Sequence, residues 1–353
     1  MNTLTSLLGI RHPIIQAPMA VFGTPQLAAA VTEAGGLGSL ALGHVTPAQA
    51  ESTITALQGL TGGPFNVNFF THAPAQPDAA REARWLEHLA PHFARTGQAP
   101  PTALREIYRS FLDDPDMLEV LVRTRPAVVS FHFGLPSAQQ IDTLHGAGCV
   151  LMATATNPFE ARAIEAAGID IVVAQGYEAG GHRGVFDPAV PDPALGTFAL
   201  VRLLAKAVRI PVVAAGGIMD GQGIAASLRL GASGVQMGTA FLACPEAQTS
   251  THYRALLTQP DLGTAVTATI SGRPARGIIN HFVNEIDTPG HPPVPDYPIA
   301  YDAAKALHAA ASSKGLDDYS VNWAGQAYAL ARPMPAAQLV ALLAEEMRAA
   351  HEA

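Results

Sequence analysis

The densest group of chemically capable side chains is AQGYEAGGHRG, Ala174 to Gly184, where Gln175, Glu178, His182 and Arg183 stand among four glycines. An imidazole carried on a flexible glycine loop suits a general acid/base or an anion-binding group. Glu178 and Arg183 remain open between an electrostatic role and plain exposed loop charge. Two later segments, AAGGIMDGQG (Ala214 to Gly223) and QMGTAF (Gln236 to Phe241), offer glycines whose backbone N–H groups can approach an anion. Their plainer use is in tight turns. Upstream, QAPMA (Gln16 to Ala20) is an apolar, proline-stiffened turn able to press against a planar ring. In NVNFF (Asn66 to Phe70) the alternation of a strand would put Asn66 and Asn68 on one face, with at least one amide exposed to a ligand.

These segments need elements that bring them together, and a repeated pattern supplies them. A short apolar, β-branched run ends in Gly, Pro or Asn and is followed by an alanine- and leucine-rich helical stretch. The runs are Pro13 to Ala17, Leu37 to Leu42, Phe65 to Phe70, Ala127 to Phe131, Val150 to Thr154, Ile169 to Ala174, Pro211 to Ala215 and Gly234 to Met237. Thr24-Pro25, Thr46-Pro47 and Asn157-Pro158 each place a capping residue before a proline at the first helical position. Eight continuous apolar strands alternating with helices predict an α/β fold, a closed (β/α)8 TIM barrel rather than an open sheet. In such a barrel every segment named above lies at a strand C-terminus, the catalytic end, and the glycine loops after the seventh and eighth strands are the usual place for a phosphate.

Two stretches break the repeat. Thr71 to Pro126 shows helical material around Asp78 to Ala94 and Thr102 to Thr124, and Cys244 to Asn322 contains TPGHPPVPDYP before a helix near Tyr301 to Ala311. The reading is a barrel of residues 1–70, 126–243 and 323–353 with a mostly helical lid, or substrate domain, from 71–125 and 244–322. Ala336 to Ala350 carries Leu339, Leu342, Leu343 and Met347 at helical spacing and becomes the eighth outer helix.

Composition narrows the partners. With 21 Lys+Arg against 29 Asp+Glu the net charge is −8, which disfavours a general grip on nucleic acid or an anionic membrane. An anionic substrate then needs a local positive pocket. Cys149 and Cys244 lack metal or redox spacing and point to a reducing compartment, the cytoplasm; no export signal precedes Arg11, and no run of about 18 apolar residues occurs. Gly36-Leu-Gly38-Ser-Leu-Ala41 matches a permissive dinucleotide fingerprint but opens a strand instead of a helix, so it is rejected. Walker, H-E-x-x-H and G-x-S-x-G motifs are missing, and the thirteen histidines show no zinc-like pairing.

Taken together, QAPMA at 16–20, NVNFF at 66–70, AQGYEAGGHRG at 174–184, AAGGI at 214–218 and QMGT at 236–239 resemble the nitronate monooxygenase family of FMN-dependent barrels. The resemblance spans nearly the whole chain. YRSFLDD at 108–114, YPIAYDAAKAL at 297–307 and NWAGQ at 322–326 are similar to its class I bacterial form. It implies FMN held by Ala17, Pro18, Met19, Asn68, Gln175, Gly180, Gly217, Gln236, Met237, Gly238 and Thr239, with Trp323, Gly325 and Gln326 at the phosphate end. His182 matches the family's catalytic histidine, and Tyr108, Tyr297, Tyr301 and Lys305 match its substrate pocket. Tyr301 and Lys305, four apart, share a helix face. For the tyrosines, packing is an equally good use.

The implied reaction is oxidation of an alkyl nitronate, foremost propionate 3-nitronate, by O2 to a carbonyl compound and nitrite or nitrate. The rivals are an FMN-dependent NAD(P)H reductase acting on an enoyl-thioester or a quinone, and a non-catalytic flavin carrier. The sequence leaves the oligomeric state open.

Overall fold

The computed structural model describes residues 3–352. Among them eight parallel strands form one sheet: β1 (Ile14–Gln16), β2 (Gly38–Ala41), β3 (Phe65–Phe70), β4 (Val128–His132), β5 (Val150–Ala155), β6 (Ile171–Gln175), β8 (Val212–Ala215) and β9 (Gly234–Met237). The remaining three, β7 (Gly181–His182), β10 (Thr264–Thr267) and β11 (Ala275–Ile278), make an antiparallel ribbon. The sheet order is β1-β9-β8-β6-β5-β4-β3-β2, and a parallel bridge between Ile15 and Leu37 joins its two ends. Gln16 N donates to Leu37 O at 2.9 Å and Leu37 N to Ile14 O at 3.0 Å, so the barrel is closed. All eight runs read from the sequence are barrel strands.

The pleat sorts the side chains. Ile14, Val67, Val129, Leu151, Val172, Val212 and Val235 face the outer helices in one buried cluster. Their neighbours Ile15, Leu37, Val128, Met152, Ile171, Val173 and Val213 fill the barrel interior with Leu4, Leu8 and Ile10 of the N-terminal segment. The outer helices start where the capping signals stand. Thr24 Oγ1 accepts from Leu27 N at 3.0 Å, Thr46 forms a capping box with Gln49, and Asn157 Oδ1 accepts from Phe159 N and Glu160 N. Each such cap contributes about 1 kcal/mol.

The segment between β3 and β4 is less helical than expected around 102–124. Only Pro115–Thr124 is helical, preceded by a short turn at Phe111–Asp113. Asp114 caps that helix, its Oδ1 accepting from Met117 N at 3.1 Å, and a residue before proline avoids helical geometry, so no helix runs through it. Phe111, Met117, Val120 and Leu121 join the barrel's outer core, not the layer above the mouth. That layer has its own apolar cluster. Trp85, Leu89 and Phe93, one stripe of the helix Ala79–Arg95, pack with Ala303, Ala304, Leu307 and Ala311 of the helix Ile299–Ser312. The two insertions therefore meet, and the second also contributes the β10–β11 ribbon.

Candidate active site

Toward the C-terminal end of the barrel the interior positions turn polar. Asn68, Ser130, Thr154, Gln175 and Gln236 line a cavity of about 540 Å³ that extends up beneath the insertions. Asn68 Nδ2 donates to Ser130 Oγ at 3.0 Å, which leaves its Oδ1 for a ligand donor. Asn66, on the same face but one layer deeper, is fully buried and donates to Ser39 Oγ at 3.1 Å, so only one of the two amides reaches the mouth. Gln236 presents an amide with no protein partner among the described residues, whereas Gln175 is consumed by the loop above it: Nε2 donates to His182 O at 2.8 Å and Oε1 accepts from Gly184 N at 2.7 Å.

The glycine loops after β8 and β9 converge on the same cavity. The backbone N–H groups of Gly217, Ile218, Gly238 and Thr239 find no acceptor among the described residues, and all four residues line the cavity. Gly217 has a φ of +71°, which turns the chain there at no steric cost. A planar ring and an anionic phosphate both fit what is present. Ala17, Pro18, Met19 and Met237 give an apolar wall, and the free N–H groups provide the anion cradle. Asp220, whose Oδ1 accepts from Gly223 N at 2.8 Å, already caps the helix Gly221–Arg229, so the loops and not that helix terminus supply the donors. At Gly180 a Cβ would come within 2.5 Å of Ala324 C and Gly325 N, and Gly325 N donates to Thr239 Oγ1 at 3.1 Å. Trp323 and Gly325 thereby line the cavity. Gln326 does not: it is exposed, and its contribution is a backbone donation to Glu178 O at 2.9 Å.

His182 sits on the cavity wall, but not on a free loop. Gly181 and His182 pair with Arg276 and Ala275 of β11, a strand almost a hundred residues away in sequence. Its carbonyl accepts from Gln175 Nε2 and from His132 Nε2 at 3.0 Å, and its own Nε2 lies 2.8 Å from Ser271 Oγ. Burial, then the neighbouring His132 and Arg273, push its imidazole down to about 3, so it is neutral at physiological pH. Burial likewise drops His132 to about 4. The other loop charges are structural. Arg183 is 0% exposed and pairs with Asp192 at 2.8 Å, and both carboxylate oxygens of Glu178 accept from Thr197 N, capping the helix Thr197–Ala207.

Tyr108, Tyr297, Tyr301 and Lys305 also stand on the cavity wall. The rings of Tyr108 and Tyr301 meet edge to face at 5.9 Å, and Tyr301 and Tyr297 lie 6.1 and 5.6 Å from the His182 ring. Tyr297 is only 5% exposed and its hydroxyl has no protein partner among the described residues. Lys305 makes no ion pair among the described residues. Its ammonium rests 4.9 Å from the Tyr108 ring centre and 5.5 Å from that of Tyr301, and burial lowers its pKa against a smaller opposing pull from Asp302. The pocket thus holds an unneutralised cation, a neutral imidazole and phenolic donors, a set made for a small anion. Sequence reading missed His44, His132, Ser271 and Arg273. His44 reaches the wall beside Tyr108, Ser271 and Arg273 come from the insertion, and none belongs to a recognisable motif. No group of His, Cys, Asp and Glu among the described residues is arranged for a metal ion.

Comparison with known proteins shows the family. A family model described as nitronate monooxygenase matches residues 1–346. The chain is 57% identical to a nitronate monooxygenase of Paraburkholderia phytofirmans, over 98% of this chain and 95% of the relative. It is 55% identical to a nitronate monooxygenase of Pseudomonas aeruginosa, over 98% and 99%. The structure of nitroalkane oxidase from Streptomyces ansochromogenes superposes with a TM-score of 0.91 at 41% identity, covering 99% of both chains. The family model and both relatives cover almost the whole chain, and the chain belongs to the nitronate monooxygenase family of oxidoreductases.

Proposed function

We propose that this enzyme binds FMN across the barrel mouth and uses O2 to oxidise a carboxylate-bearing nitronate, propionate 3-nitronate, to malonate semialdehyde with release of nitrite or nitrate. The observation that carries the substrate is Lys305, a cation on the wall of the cavity that makes no ion pair among the described residues, its nearby Asp302 being paired with Arg105. In an acidic chain that charge is free to take the far end of a compact dianion. The nitronate end then lies toward His182, which shares Tyr301 as a neighbour with Lys305.

One phosphate cradle and one apolar ring wall support FMN, with Ala17 to Met19, Asn68, Gly180, Gln236 to Thr239, Trp323 and Gly325 around it. When bound, the flavin supplies the redox chemistry. The chain's own residues do the rest. Lys305 and the tyrosine hydroxyls hold and orient the anion, the two insertions form a lid that excludes water, and neutral His182 accepts the carbon-bound proton of a substrate that arrives as the neutral nitroalkane. The two buried free cysteines, Cys149 and Cys244, support work in a reducing cytoplasm, and no helix of the described residues is long and apolar enough to cross a membrane.

The test is an anaerobic titration of the purified yellow protein, followed by absorbance. Propionate 3-nitronate should change the flavin spectrum rapidly while NADH and NADPH act slowly or not at all. Rapid bleaching by NADH without a response to nitronate would assign the site to a reductase, and silence toward both would leave a flavin carrier.

A further inference from the structure

The geometry points to Ser271 as a positioning residue that holds the proton of His182 on Nε2 and leaves Nδ1 as the proton acceptor facing the cavity. The inference rests on the reading of His182 as the base for neutral nitroalkanes.

The hydrogen bonds around one fully buried hydroxyl fix the tautomer. Ser271 is 0% exposed, and its Oγ has three neighbours: His182 Nε2 at 2.8 Å, Arg273 N at 3.3 Å and Arg273 O at 3.2 Å. The backbone N–H of Arg273 can only donate. The carbonyl of Arg273, a residue 4% exposed, can only accept, and it receives no other donor among the described residues. Satisfying that buried carbonyl uses the single hydroxyl proton of Ser271, and buried carbonyls are seldom left unpaired. Toward His182 the hydroxyl is then an acceptor, so Nε2 must carry the hydrogen. In a neutral imidazole the lone pair then belongs to Nδ1, which has no protein partner among the described residues.

The surroundings keep this arrangement rigid. Gly272 N donates to Ala268 O at 2.8 Å, and Gly272, with a φ of +90°, passes so close to Pro295 and Tyr297 that a Cβ would meet their backbone at 2.5 and 2.6 Å. On the other side His132 Nε2 can only donate to the His182 carbonyl, which makes its Nδ1 the acceptor of the Thr154 hydroxyl at 3.0 Å. Two neutral histidines are thus oriented by hydroxyl groups, one directing its main chain and the other its ring.

The test uses the flavin-loaded enzyme with ¹⁵N-labelled histidine, the His182 signals being assigned by their loss in His182→Asn. The wild-type spectrum should show Nε2 protonated and Nδ1 bare. Ser271→Ala should mix the two tautomers and lower kcat/KM for a neutral nitroalkane by about ten- to a hundredfold, short of the roughly 10²–10⁴ supplied by the base itself. Turnover of a preformed nitronate should stay within about twofold, and Ser271→Thr should restore the wild-type tautomer and rate. A wild-type spectrum with Nδ1 protonated overturns the inference even if Ser271→Ala fails to fold. Equal losses on both substrates, or an unchanged tautomer in Ser271→Ala, do the same. A protein that turns over neither substrate would refute the functional reading while the spectrum still decides the tautomer.

Discussion

The ammonium of Lys305 stands 4.9 Å from the centre of the Tyr108 ring. An aromatic face attracts a cation through its quadrupole, worth about 0.5–2 kcal/mol, without neutralising it as a carboxylate would. The charge is held in place and remains available. That combination lets an acidic protein keep one attractive point for an anion inside a half-buried pocket.

Replacement of this charge should therefore read out the substrate's second anionic group. Lys305→Met keeps most of the stem and removes the ammonium. Apparent affinity for propionate 3-nitronate should fall about ten- to a hundredfold, the worth of a charge-assisted contact, and affinity for a simple alkyl nitronate much less. Steady-state kinetics on the two substrates compare the losses, and equal losses would place Lys305 in structural support.

His182→Asn should separate proton removal from oxidation. Turnover of a neutral nitroalkane should drop by about 10²–10⁴, while a preformed nitronate keeps most of its rate. In the parent enzyme the imidazole is neutral above about 3, so the activity it supports is lost only as pH falls through that value. The pH profile below the substrate's own pKa should then lack the inflection near 6.5 that an unperturbed histidine gives.

Gly217→Asp and Gly217→Asn should differ in flavin retention. Both must adopt the φ of +71°, and both place a Cβ about 3.4 Å from that of Glu178, but only Asp adds a charge beside Glu178 and the anion cradle. Release of the cofactor, followed by fluorescence on dilution, should be faster for Asp than for Asn. Chromatography of the released flavin should give FMN, and recovery of FAD would sink the single-phosphate reading.

Acid stability should depend on His72. The side chain is 1% exposed and meets the Tyr297 ring edge to face at 4.9 Å, and among the described residues neither ring nitrogen has a partner at full hydrogen-bonding geometry, the Tyr108 backbone giving only a weak opposing contact. Burial lowers its pKa to about 4. Below about 6.5 the unfolded chain binds a proton that the folded chain refuses, so stability falls with pH until the folded form titrates near 4. Denaturant titrations of His72→Phe should show a shallower decline over that window. An unchanged slope would mean that other groups govern acid unfolding.

What the sequence determined by itself was whatever depends on near neighbours. Continuous apolar runs, Thr24, Thr46 and Asn157 before their prolines, and the Gly, Pro or Asn that ends a run are local signals, and strand and helix geometry translates them directly into eight barrel strands and the loops at their C-termini. Because a closed barrel puts those C-termini in one ring, the glycine loops, Asn68 and His182 could be placed together without coordinates. The split of 102–124 at Asp114-Pro115 was also written locally. Only the tertiary structure decided which polar groups are free. It spent Gln175, Glu178 and Arg183 on the scaffold and left Gln326 outside the cavity. It turned an apparently flexible glycine loop into a strand of the ribbon, and brought Ser271 to His182 across 89 positions. Such pairings depend on where two insertions meet above the barrel, through buried apolar contacts such as Trp85 and Phe93 against the helix Ile299–Ser312, and no local periodicity encodes a hydrogen bond between segments that only packing brings together.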